Sequence, residues 1–208
     1  MTNPWLRIPA TDYEQHMSSP DVDQLSFLAH TFKESVENHD ASAIALLGCA
    51  TGNGLEYVNP ENTKRVTAVD INPEYLEILR QRYERCVPGL EIVEADLERC
   101  ELDNKAYSLV FTGLVFEYLN PRILIMNIAN WLRSSGIMVT VLQLPAEHTG
   151  NVSKTPYTSL KLLDPVMKLV SPEELKSQAK DAGLREIRAR TATLKSNKSF
   201  YIGTYRKE

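Results

Sequence analysis

The sequence predicts an α/β fold built on a doubly wound, mostly parallel seven-stranded sheet with an antiparallel terminal strand. Short apolar runs alternate with longer segments of helical periodicity, and this alternation is typical of βαβ units. The first run, residues 42–47, is apolar from Ala43 onward, as expected of a strand that is buried on both faces. A loop of small residues follows it, and Asp70 and Asp96 close the next two runs. Functional groups should therefore gather at the edge where parallel strands end.

Seven segments carry the strand pattern. They span residues 42–47, 65–69, 91–95, 108–112, 136–142, 184–194 and 199–205. The last two are joined by residues 195–198, a connection short enough for a hairpin. One terminal strand is therefore predicted to run antiparallel to the others.

Three helices are marked by their first residues. Asn72-Pro73, Asn120-Pro121 and Ser171-Pro172 each place a capping side chain before a proline in the first helical turn. Gly183 is predicted to end the third of these helices. An amphipathic stretch over residues 22–36 adds a helix ahead of the first strand.

The composition is typical of a soluble domain with a full hydrophobic core. The 208 residues are 43% hydrophobic and 24% charged, and no apolar run reaches the ~18 residues that span a bilayer. The N-terminal residues lack the basic and apolar regions of a signal peptide. Three cysteines, Cys49, Cys86 and Cys100, have no metal-ligand spacing and fit a reducing compartment. We therefore expect a cytoplasmic protein with no membrane partner.

The charge balance argues against nucleic acid as a partner. Net charge is −4 at pH 7, whereas a nucleic-acid binder normally carries a basic face. The nearest basic cluster has the setting of a solvated strand end and comprises Lys195, Lys198, Arg206 and Lys207. The four histidines show no metal-ligand pairing, so we expect no metal.

The small-residue loop, residues 48–54, is the most informative stretch. It reads Gly-Cys-Ala-Thr-Gly-Asn-Gly, and its small side chains let a ligand approach the backbone closely. A helix is predicted to follow and to offer its free N–H groups. A dinucleotide fingerprint would need glycine at 50 and 53, where Ala50 and Asn53 stand, and no Gly-Lys-Ser/Thr of a P-loop is present. A tight turn without any ligand is the remaining alternative.

This loop resembles motif I of the class I S-adenosylmethionine-dependent methyltransferases, whose usual form is close to Leu-Asp-x-Gly-x-Gly-Thr-Gly. Asp70 resembles the family acid that accepts the ribose hydroxyls, and Asp96 resembles the acid that contacts the adenine amino group. Each aspartate taken alone is better explained as a helix cap or a solvated loop acid. The resemblance depends on the loop and the two aspartates occurring in this order within residues 40–143.

The resemblance implies a Rossmann-like methyltransferase fold with S-adenosyl-L-methionine as cofactor. The residues that it assigns to the cofactor are Gly48, Cys49, Ala50, Thr51, Gly52, Asn53, Gly54, Asp70, Ile71, Asn72, Ala95, Asp96, Leu97, Thr112 and Gly113. Three positions depart from the family pattern. Leu46 replaces the acid that helps to anchor the methionine ammonium, Ser108 replaces the usual aspartate of the fourth strand, and Ala50 replaces a glycine. The methyl group of Ala50 is accommodated if its φ stays negative.

In domain terms, residues 1–40 are predicted to form an N-terminal helical lid, and residues 41–208 the S-adenosylmethionine-binding domain. Residues 144–170 are an insertion on the acceptor side, where a long irregular segment is usually functional. His148 and Tyr157 within it are minor candidates for acceptor contacts.

Methyl transfer from a sulfonium is an in-line displacement, so a catalytic base is optional. The catalytic candidates are Tyr13, His16 and Glu117. Tyr13 could favour the sulfonium by a cation–π contact, and Glu117 could orient or deprotonate the acceptor. The alternatives are an ordinary surface helix for Tyr13 and His16, and a solvent-facing side chain for Glu117.

A small-molecule acceptor is the favoured interpretation. The sequence lacks the Asn/Asp-Pro-Pro-Tyr/Phe motif after the fourth strand that methylation of an amino group on adenine, cytosine or glutamine would imply. Three alternatives stay open: a protein methyltransferase whose insertion docks a peptide, a cofactor-binding protein without turnover, and, at greater distance, an NAD-dependent oxidoreductase. A homodimer is left open as the assembly.

Overall fold

A computed structural model describes residues 3–145, 152–153 and 155–208 of the chain. One seven-stranded sheet forms its centre, in the order β3-β2-β1-β4-β5-β7-β6. The strands are β1 (Ala43–Leu47), β2 (Arg65–Asp70), β3 (Leu90–Glu94), β4 (Tyr107–Gly113), β5 (Leu132–Gln143), β6 (Leu184–Thr193) and β7 (Ser199–Lys207). Strands β1 to β5 pair in parallel, and β7 runs antiparallel to both β5 and β6. The predicted fold class, including the antiparallel terminal strand, is confirmed.

In the described part of the chain, five α-helices flank the sheet or precede it. They are α1 (Ala10–Ser18), α2 (Gln24–Asn38), α3 (Pro73–Tyr83), α4 (Pro121–Trp131) and α5 (Pro172–Asp181). The predicted caps are present, because Asn72, Asn120 and Ser171 each accept a hydrogen bond from a backbone N–H in the first turn. Gly183, with φ of +78°, follows the end of α5 as predicted.

The helices cover both faces of the sheet. On one face, α4 and α5 pack against Val110, Met138 and Leu142 in one buried cluster. On the other, α2 and α3 pack against Ile44 and Val66 in a second cluster. Each large apolar side chain removed from water in these layers contributes roughly 1.5–3 kcal/mol. This double cover is the doubly wound arrangement, and it leaves the carboxyl ends of the strands open at one edge.

The predicted helix after the small-residue loop is wrong. The chain forms only a short 3₁₀ turn over Leu55–Tyr57 and then reaches Asn59-Pro60 and β2. Gly54 has φ of +98°, and a proline so close downstream leaves no room for a regular helix. Phe32 of α2 packs against Gly54 instead, so a preceding helix covers this part of the sheet.

Strand β5 begins earlier than the predicted residue 136. Its pairing with β4 runs from Tyr107↔Leu132 directly to Leu109↔Ile137, so the polar residues between them bulge out of register. Ser135 within this bulge has φ of +62°. A polar segment that looks like a loop in the sequence is thus an irregularity inside a strand.

No helix in residues 3–145, 152–153 and 155–208 is long and apolar enough to cross a membrane.

Candidate active site

A cavity of about 270 Å³ opens at the carboxyl ends of β1 to β4. The chain continues from β1 to β2 on one side, while β4 lies on the other side of β1, so the strand order reverses at this point. Ligands of open α/β sheets bind at such a reversal. The N-terminal segment and residues 152–153 and 155–167 form the outer walls of the cavity.

The loop after β1 bends sharply at the floor of this cavity. Gly48 has φ of +64°, and a Cβ there would lie 2.6 Å from Cγ2 of Val115, so only glycine fits without displacement. Ala50 has φ of +44°, which overturns the expectation that it stays negative. Its backbone N–H donates to Oδ2 of Asp70 at 2.9 Å, and this bond holds the alanine in the left-handed region.

Asp70 is the buried carboxylate of the site. It is 9% exposed and accepts from the backbone N–H of Ala50 and, at 2.9 Å, from that of Asn72. Burial raises its pKa, and these backbone hydrogen bonds oppose that shift. Each carboxylate oxygen keeps a second lone-pair direction, so the group can still accept two ligand hydroxyls.

The structure divides the predicted cofactor residues into two groups. Those that line the cavity are Gly48, Ala50, Asp70, Ile71, Ala95, Asp96, Leu97 and Gly113. Those that are absent from its lining are Cys49, Thr51, Gly52, Asn53, Gly54, Asn72 and Thr112.

The second group fastens the loop to its surroundings. Thr51 donates through Oγ1 to Glu14 of α1, and Asn53 donates through Nδ2 to the carbonyl of Leu25 at 2.8 Å. Asn72 donates through Nδ2 to the carbonyl of Trp5 at 2.9 Å. The hydrogen bonds of these side chains thus attach the N-terminal segment to the sheet edge.

The N-terminal segment brings Tyr13 and His16 to the cavity, as the sequence predicts, and adds Trp5. The ring of Tyr13 lies 5.3 Å from that of Tyr75, and the ring of Trp5 lies 5.0 Å from that of Tyr118. These four aromatic rings line one wall, so the alternative of an ordinary surface helix does not describe Tyr13 or His16.

His16 is held as a neutral imidazole. Its Nδ1 lies 2.8 Å from Oγ1 of Thr155, and the residue is 5% exposed. Burial, together with the nearby charge of Lys198, lowers the pKa of His16 to about 4. At neutral pH this side chain can exchange hydrogen bonds but carries no charge.

Glu117 does not face solvent and is absent from the cavity lining. The residue is 1% exposed, its Oε1 accepts from the backbone N–H of Gln143 at 2.8 Å, and its Oε2 is buried without a partner. Burial raises the pKa of Glu117 to about 7. The geometry therefore gives Glu117 a positioning contact to Gln143, which does line the cavity.

Several cavity residues escaped the sequence analysis, and Lys198 is the clearest correction. It is 2% exposed and lines the cavity, whereas its sequence setting suggests a solvated strand end. Gln24 and Gln143 also line the cavity. Leu46 is 5% exposed within the apolar core, so the family's acid has no counterpart at that position. Of the minor candidates, Tyr157 packs against the cluster of Ile8, Leu160 and Leu163, and His148 lies outside the described residues.

Among the described residues, no group of three or more His, Cys, Asp or Glu side chains could hold a metal ion.

The residues of the cavity fit S-adenosylmethionine. Asp70 offers acceptors for ribose hydroxyls, and Ile71 and Leu97 give apolar surfaces near it for an adenine ring. Gly48 lines the cavity without a side chain, so a ligand can approach its backbone closely.

The comparisons agree with this fit. A family model described as "Methyltransferase domain" matches residues 46–140. No curated protein matches the sequence.

Solved structures share the fold at low sequence identity. The N-methyltransferase NodS from Bradyrhizobium japonicum, in complex with S-adenosyl-L-homocysteine, is 16% identical with a TM-score of 0.68, over 95% of this chain and 97% of that one. An S-adenosylmethionine-dependent methyltransferase from Mesorhizobium loti is 14% identical with a TM-score of 0.68, over 88% and 100%. The [4+2]-cyclase SpnF is 14% identical with a TM-score of 0.69, over 87% and 80%.

The family match lies on the strands that build the cavity, and the seven-stranded topology agrees with it. The part of the chain that builds the cavity thus matches a methyltransferase domain, and the chain has the fold of known S-adenosylmethionine-dependent methyltransferases.

Proposed function

We propose that this chain is a class I S-adenosylmethionine-dependent methyltransferase and that it transfers the methyl group to a small molecule bound between the N-terminal segment and residues 152–153 and 155–167. The proposal rests on the buried apolar side chains that enclose the cavity from two sides. Met17 from the N-terminal segment and Leu160, Leu163 and Met167 from the other segment all line it and are buried. A site enclosed from two sides suits a compact acceptor.

When bound, S-adenosylmethionine supplies an activated methyl group on a sulfonium. The residues of this chain bind and orient the cofactor. Asp70 accepts ribose hydroxyls at one end of the cavity, and Gly48 and Gly113 keep the backbone accessible at its floor. Tyr13 offers a π face that favours a cation over a neutral sulfur. Trp5 and Tyr118 exclude water from the wall that they share.

A peptide acceptor is less well supported. The large apolar side chains exposed among the described residues are Leu6, Ile123, Met126 and Val166. None of them lines the cavity, so the described surface offers no apolar groove that continues from it.

We also infer a reducing, cytoplasmic location. The three cysteines are free thiols, and two of them, Cys49 and Cys100, are buried.

The test uses S-adenosylmethionine with a radioactive methyl group and a cell extract divided by size. The purified protein is incubated separately with the fraction below about 1 kDa and with the protein fraction. We expect label in small molecules, and less of it with Asp70→Asn. Label found only in protein, or none in either fraction, would contradict the proposal.

A further inference from the structure

The cavity is polarised along the sheet. Three carboxylates, those of Asp70, Asp96 and Glu98, lie on its lining beyond β2 and β3. Lys198 lies on its lining beside the carboxyl end of β5, where Leu144 pairs with Ser199. With strands about 4.8 Å apart, β2 and β5 are separated by roughly 14 Å. The anionic and cationic groups therefore occupy opposite ends of one cavity.

The position of Lys198 is built by the fold. Its backbone carbonyl accepts from Leu194 across the hairpin, and its Nζ lies 3.4 Å from Oε1 of Gln143. Gln143 is fixed in turn, because Glu117 binds its backbone N–H at 2.8 Å. Two successive contacts thus hold a buried ammonium at the cavity wall.

The ammonium keeps its charge near neutral pH. Burial lowers the pKa of Lys198 to about 8, and the charge of Asp164 opposes this shift. His16 faces the same end but is neutral there, so it does not add a second positive charge. Among the described residues that line the cavity, Lys198 is the one Lys or Arg side chain.

The lining of the same cavity also includes four buried apolar side chains. Leu160, Leu163, Met167 and Met17 are each at most 8% exposed and line the cavity. Such walls bind an apolar body, and a single ammonium matches a single negative charge better than a dianion.

We propose that the methyl acceptor is a small organic carboxylate with an apolar body, and that Lys198 binds its carboxylate group. This inference rests on the proposed function, because it concerns the acceptor of the same site. It makes Lys198 a specificity-determining residue for the acceptor and leaves Asp70 to the adenosyl end.

The test measures ternary binding with three probes of equal chain length: hexanoate, hexanamide and hexylamine. Each is titrated by NMR into the protein saturated with S-adenosylhomocysteine. We expect hexanoate to bind at least tenfold more tightly than hexanamide or hexylamine. Lys198→Met should abolish this preference, and Lys198→Arg should keep part of it. Lys195→Met is the matched control, because Lys195 lies in the same hairpin but is exposed.

Three results would overturn the inference. Hexanoate could bind no better than its amide, or Lys198→Met could leave its binding unchanged. Lys198→Met could also weaken the binding of S-adenosylhomocysteine but not that of methylthioadenosine, which lacks the amino-acid end. Lys198 would then bind the carboxylate of the cofactor. Thermal unfolding of each variant verifies that the fold is retained.

The proposed function fails separately from this inference. Hexanoate could bind in a Lys198-dependent way while no label is transferred to small molecules. This result would contradict the proposed function and support the anion site. Wild type and Lys198→Met could instead transfer label equally to neutral molecules. This result would support the proposed function and contradict the anion site.

Discussion

The backbone N–H of Ala50 lies 2.9 Å from Oδ2 of Asp70 and donates to it. This bond joins the loop after β1 to the end of β2, the two places where the sequence carries its strongest family signal. It also accounts for the left-handed alanine, a conformation that costs an L residue roughly 1–2 kcal/mol when nothing compensates. The floor of the cavity is therefore held in shape before any ligand arrives.

Replacing Gly48 with alanine should destabilise the protein by about 2–4 kcal/mol. A left-handed backbone and a Cβ 2.6 Å from Cγ2 of Val115 both contribute. Gly183→Ala is the control, because its φ of +78° is also positive but its Cβ would meet nothing within 4 Å. Urea unfolding of both variants measures the difference, and equal losses would show that Val115 exerts no constraint.

Replacing Tyr13 with leucine should weaken the binding of S-adenosylmethionine by roughly 3- to 30-fold relative to that of S-adenosylhomocysteine. A cation over an aromatic face gains about 0.5–2 kcal/mol, and the product carries no charge on sulfur. Tyr13→Phe keeps the ring and should keep the ratio of the two dissociation constants. Equal weakening of both ligands by Tyr13→Leu would assign Tyr13 to packing alone.

Replacing Glu117 with glutamine should make stability less dependent on pH. Burial raises the pKa of Glu117 from 4.5 to about 7, so the folded wild type retains a proton that the unfolded chain releases. Wild-type stability should therefore fall, by on the order of 3 kcal/mol, as pH rises from about 4.5 through 7.

Urea unfolding of Glu117→Gln at pH 5 and pH 8 should show a smaller fall than wild type. Glu84→Gln changes an exposed residue and is expected to follow wild type at both pH values. If Glu117→Gln loses as much stability between pH 5 and pH 8 as wild type does, the buried carboxylate is not the cause.

Replacing Glu14 with glutamine should loosen α1 locally. Its carboxylate binds both Thr51 and Arg82, and the Arg82 hydrogen bond lowers its pKa. We expect faster amide hydrogen exchange over residues 10–18 and a change in global stability of no more than about 1 kcal/mol. Glu77→Gln removes an ion pair within α3 and should leave that exchange unchanged. Unaltered exchange in Glu14→Gln would mean that other contacts hold the segment.

The sequence predicts the frame of the fold because the frame follows from local rules. Strand periodicity marks all seven strands, and Asn72 and Asn120 mark helix starts by capping chemistry. Asp70 is found for the same reason, since it closes a recognisable strand. Each of these features depends on residues close to one another in the chain.

The features that sequence reasoning missed depend on distant contacts. Lys198 looks like a polar hairpin residue, and only the pairing of β7 with β5 brings it against the cavity. Glu117 looks exposed until Gln143 supplies its partner. The sign of φ at Ala50 likewise depends on a hydrogen bond to a residue twenty positions away.

Calorimetry on wild type and Asp70→Asn determines whether the Asp70 carboxylate holds the adenosyl group of the cofactor. Asp181→Asn, at an exposed position, is the control. We expect wild type and the control to bind S-adenosylmethionine and S-adenosylhomocysteine but not NAD. We expect Asp70→Asn to weaken the binding of the first two ligands by at least tenfold. Binding of NAD alone, or equal S-adenosylhomocysteine affinity in wild type and Asp70→Asn, would contradict these expectations.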